Sequence, residues 1–248
     1  KNIILEKIYS RKKRGNLFTS KISNLVNNNL LDMIYIETPP NTHLKYLKLF
    51  KTKDALLLCE KPLVSKKREL EYLIKNKKNF KNKVFINHQL RLHPNLILFK
   101  KEIKKFGKIL SIQIKYVSNN FREKKNDWWL SNTSGGGHLM AIGPHLLDLL
   151  VFFNGNIETI KIKKKFSKKF KKKIDTSFEV KGLYKNKSRF KLISSCVAKN
   201  KNTKFQIKVN TESNIIYFDN FNQIKIKKIN GSLNYKYFPI LPLAKNPF

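Results

Sequence analysis

The side chains best placed for chemistry in this sequence fall into three clusters. The first is Thr38–His43, the second is Cys59–Pro62, and the third is Gly135–Asp148. Each of the first two directly follows a short apolar run that is typical of a buried strand. In open parallel sheets, ligands bind at the carboxyl ends of the strands. The first two clusters therefore predict a binding site at one edge of such a sheet.

Lys61 and His145 are the groups in these clusters that could stabilise charge or take up a proton. Lys61 lies at a strand end between Glu60 and Pro62, although an ordinary surface position is the alternative for one lysine among 47. Gly143-Pro144 predicts the start of a helix, because Pro is favoured at the first helical position. His145 would then lie in the first turn, where the helix dipole lowers its pKa and favours a neutral, proton-accepting imidazole. The alternative is a buried structural histidine.

Hydrophobic periodicity divides the chain into two halves. Before residue 107, strand-like runs such as Met33–Glu37 and Ala55–Cys59 alternate with helical stripes. That rhythm predicts an α/β domain with a parallel, doubly wound sheet. After residue 108, runs such as Ile109–Val117 and Phe205–Val209 alternate apolar with polar residues, as in a half-solvated antiparallel sheet. The predicted domains are residues 1–107 and residues 108–248.

In this order and spacing, the motifs resemble the glucose–fructose oxidoreductase / inositol dehydrogenase (Gfo/Idh/MocA) family of nicotinamide-dependent sugar oxidoreductases. The matching segments are Asp32–His43, Glu60–Pro62, Arg91–Pro94, Gly107–Ile109 and Gly135–Asp148. The resemblance implies a Rossmann-type domain followed by an α+β domain with a large open antiparallel sheet. It also implies a homodimer or homotetramer that pairs through that sheet.

The sequence departs from the family pattern at two places. The family opens with a strand and a Gly-x-Gly-x-x-Gly turn that holds the pyrophosphate. No such turn occurs here, the first glycine is Gly15, and Ile3–Tyr9 matches the family's second strand. We therefore expect the first strand to be missing and the 248-residue chain to bind the cofactor weakly. Ala141 occupies the position where the family usually has an Asp that binds or deprotonates the substrate alcohol.

The resemblance also implies roles for individual residues. Lys61 and His145 would be catalytic, with Lys61 beside the nicotinamide and bonded to the substrate hydroxyl, where a cation stabilises a developing alkoxide. The Lys61–Pro62 peptide bond is expected to be cis. The expected cofactor-binding residues are Ser10, Arg11, Thr38, Pro39, Asn41, His43, Glu60, Lys61 and Pro62. The expected substrate-binding residues are Arg91, His145 and Asp148.

The segment after the family's second strand bears on which cofactor is used. Rossmann proteins place an acid there for the unphosphorylated cofactor, whereas an arginine accommodates a 2′-phosphate. Ser10–Arg14 contains no acid and includes Arg11. We expect NADP or NAD, with NADP favoured.

Composition narrows the possible partners. The formal net charge is +37, but 47 of the 53 cationic residues are Lys, and nucleic-acid surfaces favour Arg. Asn and Ile are also abundant and Ala is rare, which indicates that an A/T-biased genome produced the excess of Lys. We therefore expect no specific nucleic-acid partner. Polyanion binding is an alternative that rests on charge alone. Cys59 and Cys196 provide no disulfide framework or metal spacing, and no apolar run reaches the ~18–20 residues of a membrane span. We expect a cytoplasmic protein with no metal site and no membrane association.

The combined prediction is an oxidoreductase that transfers a hydride between NAD(P) and a carbinol carbon of a sugar, polyol or nucleotide sugar. Ala141 leaves a second possibility open, a regulatory member of the same family that senses cofactor or sugar without turnover.

Overall fold

The structure, a computed structural model, describes residues 3–10, 15–80, 84–119, 128–166, 174–197, 203–229, 231 and 233–237. The chain divides into two compact units, residues 1–87 and residues 88–248. The division falls between residues 87 and 88 rather than near residue 107. The reason is that the helix Pro94–Ile103 buries Leu96, Phe99 and Ile103 in the core of the second unit.

The first unit alternates strands with helices. Its elements are β1 (Ile8–Tyr9), β2 (Phe18–Thr19), α1 (Ser23–Val26), β3 (Met33–Ile36), α2 (Pro40–Phe50), β4 (Leu56–Cys59), α3 (Lys67–Lys75), a 3-10 turn (Lys77–Phe80) and β5 (Val84–Ile86). Strands β3, β4 and β5 form a parallel sheet in that order, and β1 pairs with β2 in parallel. The predicted parallel α/β architecture is confirmed for this unit.

Alternating side chains set the faces of this sheet. Ile34 and Leu57 point to one face and form a core with Leu47 and Phe50 of helix α2. The opposite face carries exposed apolar side chains, namely Met33, Tyr35, Leu56 and Phe85. Pro40 occupies the first turn of α2, where its missing N–H costs no helical hydrogen bond. Because the strands are parallel, the residues that follow β3, β4 and β5 share one edge of the sheet.

The second unit is built on an eight-stranded sheet. Its elements are a 3-10 turn (Gln89–Leu92), α4 (Pro94–Ile103), a 3-10 turn (Lys104–Phe106), β6 (Ile109–Val117), two 3-10 turns (Trp128–Leu130 and Asn132–Ser134), α5 (His138–Asn154), β7 (Ile157–Phe166), β8 (Asp175–Tyr184), β9 (Arg189–Ser195), β10 (Lys204–Thr211), β11 (Asn214–Asp219), β12 (Gln223–Lys228) and β13 (Leu233–Tyr237). The strand order is β13-β12-β11-β10-β6-β9-β8-β7.

This sheet is mixed rather than wholly antiparallel. Strand β6 lies at its centre, parallel to β9 and antiparallel to β10, and the other neighbouring strands pair antiparallel. Because side chains alternate along each strand, Ile112, Ile114, Phe205 and Ile207 lie on the covered face. There they form one core with the buried side chains of helices α4 and α5.

Helix α5 is strongly apolar. The stretch Asn132–Asn154 is long and apolar enough to cross a membrane by length and composition alone. An 18-residue window within it has a mean hydropathy of 1.3, but 61% of that window is buried inside the fold. Leu146, Leu149 and Leu150 supply core contacts on its inner side. The burial of this stretch is that of a core helix.

Candidate active site

Glu60 is the centre of a hydrogen-bonded group at the carboxyl edge of the first unit's sheet. It follows β4, and its Oε1 accepts hydrogen bonds from the Tyr35 hydroxyl and from Asn87 Nδ2, the latter at 2.6 Å. Tyr35 comes from β3, and Asn87 directly follows β5. Burial, followed by the bond to the Glu60 carboxylate, raises the pKa of Tyr35. Tyr35 therefore remains a hydroxyl donor, and Glu60 is tied to both neighbouring strands.

Lys61 lies next to this group and is partly buried. Burial lowers the pKa of its ammonium group, and the Glu60 carboxylate opposes that shift. The Lys61 backbone N–H donates to Glu60 Oε2 at 3.3 Å, and the Lys61–Pro62 peptide bond is cis, as the resemblance implies. A lysine whose pKa is lowered at the ligand-binding edge of a parallel sheet can hold an oxyanion and exchange a proton.

His43 contacts the loops that follow two strands. Its side chain is fully buried, with Nδ1 2.9 Å from the Pro62 carbonyl oxygen and Nε2 2.7 Å from the Thr38 carbonyl oxygen. Both ring nitrogens are therefore occupied by the backbone. This placement differs from the expected cofactor contact, because the buried ring presents neither nitrogen to a ligand.

The other residues expected to bind the cofactor lie near the same strand ends or outside the described chain. Thr38 Oγ1 accepts a 2.7 Å hydrogen bond from Thr42, and Pro39 precedes helix α2. Asn41 is exposed in the first turn of that helix. Ser10 follows β1 and donates its backbone N–H to Thr19. Arg11 lies outside the residues that the structure describes.

His145 occupies a different part of its helix from the one predicted. Helix α5 begins at His138, so Pro144 is an interior residue and His145 lies beyond the first turn. The field of the helix N-terminus falls off within that turn, so the dipole argument for His145 does not hold. The side chain is buried, with 3% of its surface exposed.

Asp175 explains why the helix begins earlier. This residue of β8 accepts a 2.7 Å hydrogen bond from the Leu139 backbone N–H through Oδ2. Gly137 has a φ of +102°, and a Cβ there would collide with Asp175 Oδ1. Gly137, which has no Cβ, thus lets the carboxylate approach and cap the helix.

Arg91 and Asp148, both expected to bind substrate, bind each other. Arg91 Nε lies 2.7 Å and Nη2 2.8 Å from the two Asp148 oxygens, and His88 Nε2 lies 3.8 Å from Asp148 Oδ1. The bond to Asp148 raises the pKa of Arg91, which burial opposes. The pair joins the turn Gln89–Leu92 to helix α5, and 42% of the Arg91 side chain remains exposed.

Ala141 and His138 belong to the core of the second unit. Ala141 is fully buried in the apolar cluster. His138 Nε2 lies 2.7 Å from Ser194 Oγ, and burial lowers the pKa of His138 to about 4. Within the described part of the chain, no group of three or more His, Cys, Asp or Glu side chains could hold a metal ion.

Two family models match the chain, one for each unit. Residues 6–88 match the oxidoreductase family with an NAD-binding Rossmann fold, and residues 102–213 match the Gfo/Idh/MocA C-terminal domain. The chain belongs to the Gfo/Idh/MocA oxidoreductase family.

Two of the curated proteins similar to this chain are named as oxidoreductases. Oxidoreductase P35 of Formosa agariphila is 32% identical over 151 residues, which is 58% of this chain and 47% of that protein. The uncharacterized oxidoreductase YgjR of Escherichia coli is 24% identical over 149 residues, which is 58% of this chain and 45% of that protein. The chain thus spans about half the length of these two relatives.

Solved structures of the same fold include sugar dehydrogenases. Levoglucosan dehydrogenase in complex with NADH and levoglucosan has a TM-score of 0.78 at 17% identity, and the match covers 89% of this chain and 65% of that one. A putative NADPH-dependent oxidoreductase from Desulfitobacterium hafniense has a TM-score of 0.75 at 14% identity, covering 90% and 68%. These similarities establish the Gfo/Idh/MocA fold for the chain.

The sequence analysis did not identify three residues that hold the site or helix α5 in place. Tyr35, Asn87 and Asp175 each bond to a group far away in the sequence. One local signal was present for Asn87, because it directly follows β5 as Glu60 directly follows β4. Residues in equivalent positions after neighbouring parallel strands lie side by side.

Proposed function

We propose that this protein is a nicotinamide-dependent oxidoreductase that exchanges a hydride with the carbinol carbon of a sugar, polyol or nucleotide sugar. The observation that carries the proposal is Lys61, partly buried with a lowered pKa at the carboxyl edge of the parallel sheet. Family membership and the sugar dehydrogenases of the same fold support the reaction class.

The groups at this edge have the chemistry needed to bind a nicotinamide nucleotide. The Glu60 carboxylate accepts hydrogen bonds, the Lys61 ammonium donates them, and Asn41 and Thr38 offer an amide and a hydroxyl. Ribose hydroxyls and a carboxamide need this mixture of donors and acceptors. When bound, the nicotinamide supplies a centre that accepts or donates a hydride.

Lys61 would act on the substrate oxygen. Its ammonium would donate a hydrogen bond to the hydroxyl and stabilise the negative charge that grows on oxygen as the proton leaves. Because burial lowers the Lys61 pKa, the group can also exchange that proton closer to neutral pH. We assign His145 as the second proton acceptor, supported by its place in the Gly135–Asp148 motif.

Replacing Lys61 tests the proposal directly. Lys61→Met should lower turnover by about 10²–10⁴-fold, the usual effect of losing a charge-stabilising or proton-transfer group. Lys67→Met is the matched control, because the Lys67 side chain is 89% exposed and lies in the same unit. Turnover would be followed by nicotinamide absorbance with polyols, free sugars and nucleotide sugars. Equal rates for the two variants would contradict the proposal.

Ala141 favours a second candidate, a sensor that binds cofactor or sugar without turnover. The resemblance implies a carboxylate at this position, whereas Ala141 is buried among apolar side chains. The sensor predicts cofactor binding by calorimetry with no turnover across the whole panel. Turnover that is lost in Lys61→Met would exclude it.

Three further properties are proposed on narrower grounds. We propose NADP over NAD because Ser10–Arg14 contains no acid, and a lower KM for NAD would contradict this. We propose a homodimer or homotetramer through the sheet face that carries the partly buried Ile193 and Tyr217, which light scattering tests. We propose a cytoplasmic location, and secretion of the tagged protein would contradict it.

A further inference from the structure

His43 links two loops that are distant in sequence. It lies in the first turns of helix α2, and its ring is fully buried. One nitrogen faces the carbonyl oxygen of Thr38, in the loop after β3, and the other faces that of Pro62, in the loop after β4. Pro62 directly follows Lys61, so the ring contacts the backbone beside the proposed catalytic lysine.

The two carbonyl oxygens hold the ring between the loops. A carbonyl oxygen only accepts hydrogen bonds, so an imidazole N–H is the donor in such a contact. The ring nitrogens lie 2.9 Å from the Pro62 oxygen and 2.7 Å from the Thr38 oxygen, so the ring spans the distance between the two loops.

The residue before Lys61 in the chain, Glu60, is also fixed in place. The Glu60 carboxylate is bonded by Tyr35 and Asn87, and its second oxygen accepts from the Lys61 backbone N–H. Lys61 therefore lies between a carboxylate tied to the strands and a carbonyl tied to helix α2. Rigid placement of a reacting group is worth large factors in rate, because a misplacement of ~1 Å can cost ~10²-fold.

We propose that His43 is a positioning residue that fixes the Lys61–Pro62 turn and thereby the Lys61 ammonium. This role rests on the proposed function of Lys61. A histidine that only fills the core would stabilise the first unit without affecting the environment of Lys61, so the two roles differ in a measurable way.

Competitive acetylation read by mass spectrometry tests the positioning without any turnover. The wild-type Lys61 should titrate at a lower pH than the exposed Lys67, since burial lowers its pKa. In His43→Leu, which keeps volume but has no donor, the profile of Lys61 should move toward that of Lys67. His138→Leu is the matched control, because it removes another buried histidine whose partner is Ser194 in the second unit.

Kinetics and folding complete the test. His43→Leu should lower kcat by on the order of 10–10²-fold with a smaller change in KM, and His43→Gln, which can donate to one carbonyl, should recover part of the loss. Circular dichroism establishes that each variant is folded, and His43→Gln keeps the test valid if His43→Leu does not fold.

An unchanged Lys61 profile in a folded His43 variant would overturn the positioning role. A shifted profile in a protein with no turnover on any substrate would support the positioning and refute the proposed function.

Discussion

At the scale of single residues, burial among aromatic rings determines the protonation of His138. His138 lies between aromatic rings, stacked on Tyr116 at 6.4 Å and tilted against Phe178 at 5.3 Å between ring centroids. Its Nε2 bonds to Ser194. This environment excludes water from the ring and disfavours the imidazolium.

The His138 ring should make the stability of the protein depend on pH. Burial lowers its pKa from 6.5 to about 4 in the folded chain, so the unfolded chain binds more protons between those values. The free energy of unfolding should therefore fall as the pH falls through this window, by up to about 1.4 kcal/mol per pH unit, and the stabilisation is fully present above pH 6.5. Urea unfolding of wild type and His138→Gln at several pH values measures the difference, and parallel pH curves would contradict this account.

At the scale of elements, helix α5 is capped by another part of the chain. Gly137 precedes the helix and has no side chain, and the first N–H groups of a helix lack partners within it. Asp175 of strand β8 supplies one partner by accepting from Leu139, and its negative charge suits the positive helix end. The helix start therefore depends on the pairing of the sheet.

Removing this cap should destabilise the second unit. Asp175→Ala should lower the free energy of unfolding by about 0.5–2 kcal/mol, the usual cost of losing a helix N-cap. Asp175→Asn keeps an oxygen that can accept from Leu139 and should lose less. Urea unfolding compares the two variants with wild type. Equal stability of Asp175→Ala and wild type would show that the contact does not cap the helix.

At the scale of the whole molecule, the described residues form two separate apolar cores. One belongs to residues 1–87 and includes Leu57, which is 1% exposed. The other belongs to residues 88–248 and includes the fully buried Leu149. Cores formed by different residues can unfold in separate transitions.

Each core should therefore respond to its own mutation. Leu57→Ala and Leu149→Ala should each cost about 2–5 kcal/mol, because each removes buried methyl groups and leaves a cavity. Differential scanning calorimetry should show that Leu57→Ala lowers the Tm of one transition and Leu149→Ala the Tm of the other. A single transition lowered equally by both variants would show that the two units unfold together.

Much of the fold was readable from local patterns. The short apolar runs Met33–Glu37 and Ala55–Cys59 predicted strands, and the structure has β3 and β4 there. The placement of Glu60 and Lys61 directly after a strand predicted the edge of the sheet where they lie. Such features depend on residues within a few positions of each other. Because these features are local, the sequence itself shows them. Burial of a strand or of one of its faces leaves an apolar pattern, and polar or turn residues mark where the strand ends.

Contacts between distant residues decided the rest. Arg91 bonds to Asp148, Asp175 places the start of helix α5 at His138, and both nitrogens of His43 face the backbone. The sequence by itself determined the elements and the motifs at their ends, because periodicity and turn chemistry are local. The tertiary structure alone decided which polar groups satisfy one another, because a buried donor or acceptor must find a partner wherever the fold brings one.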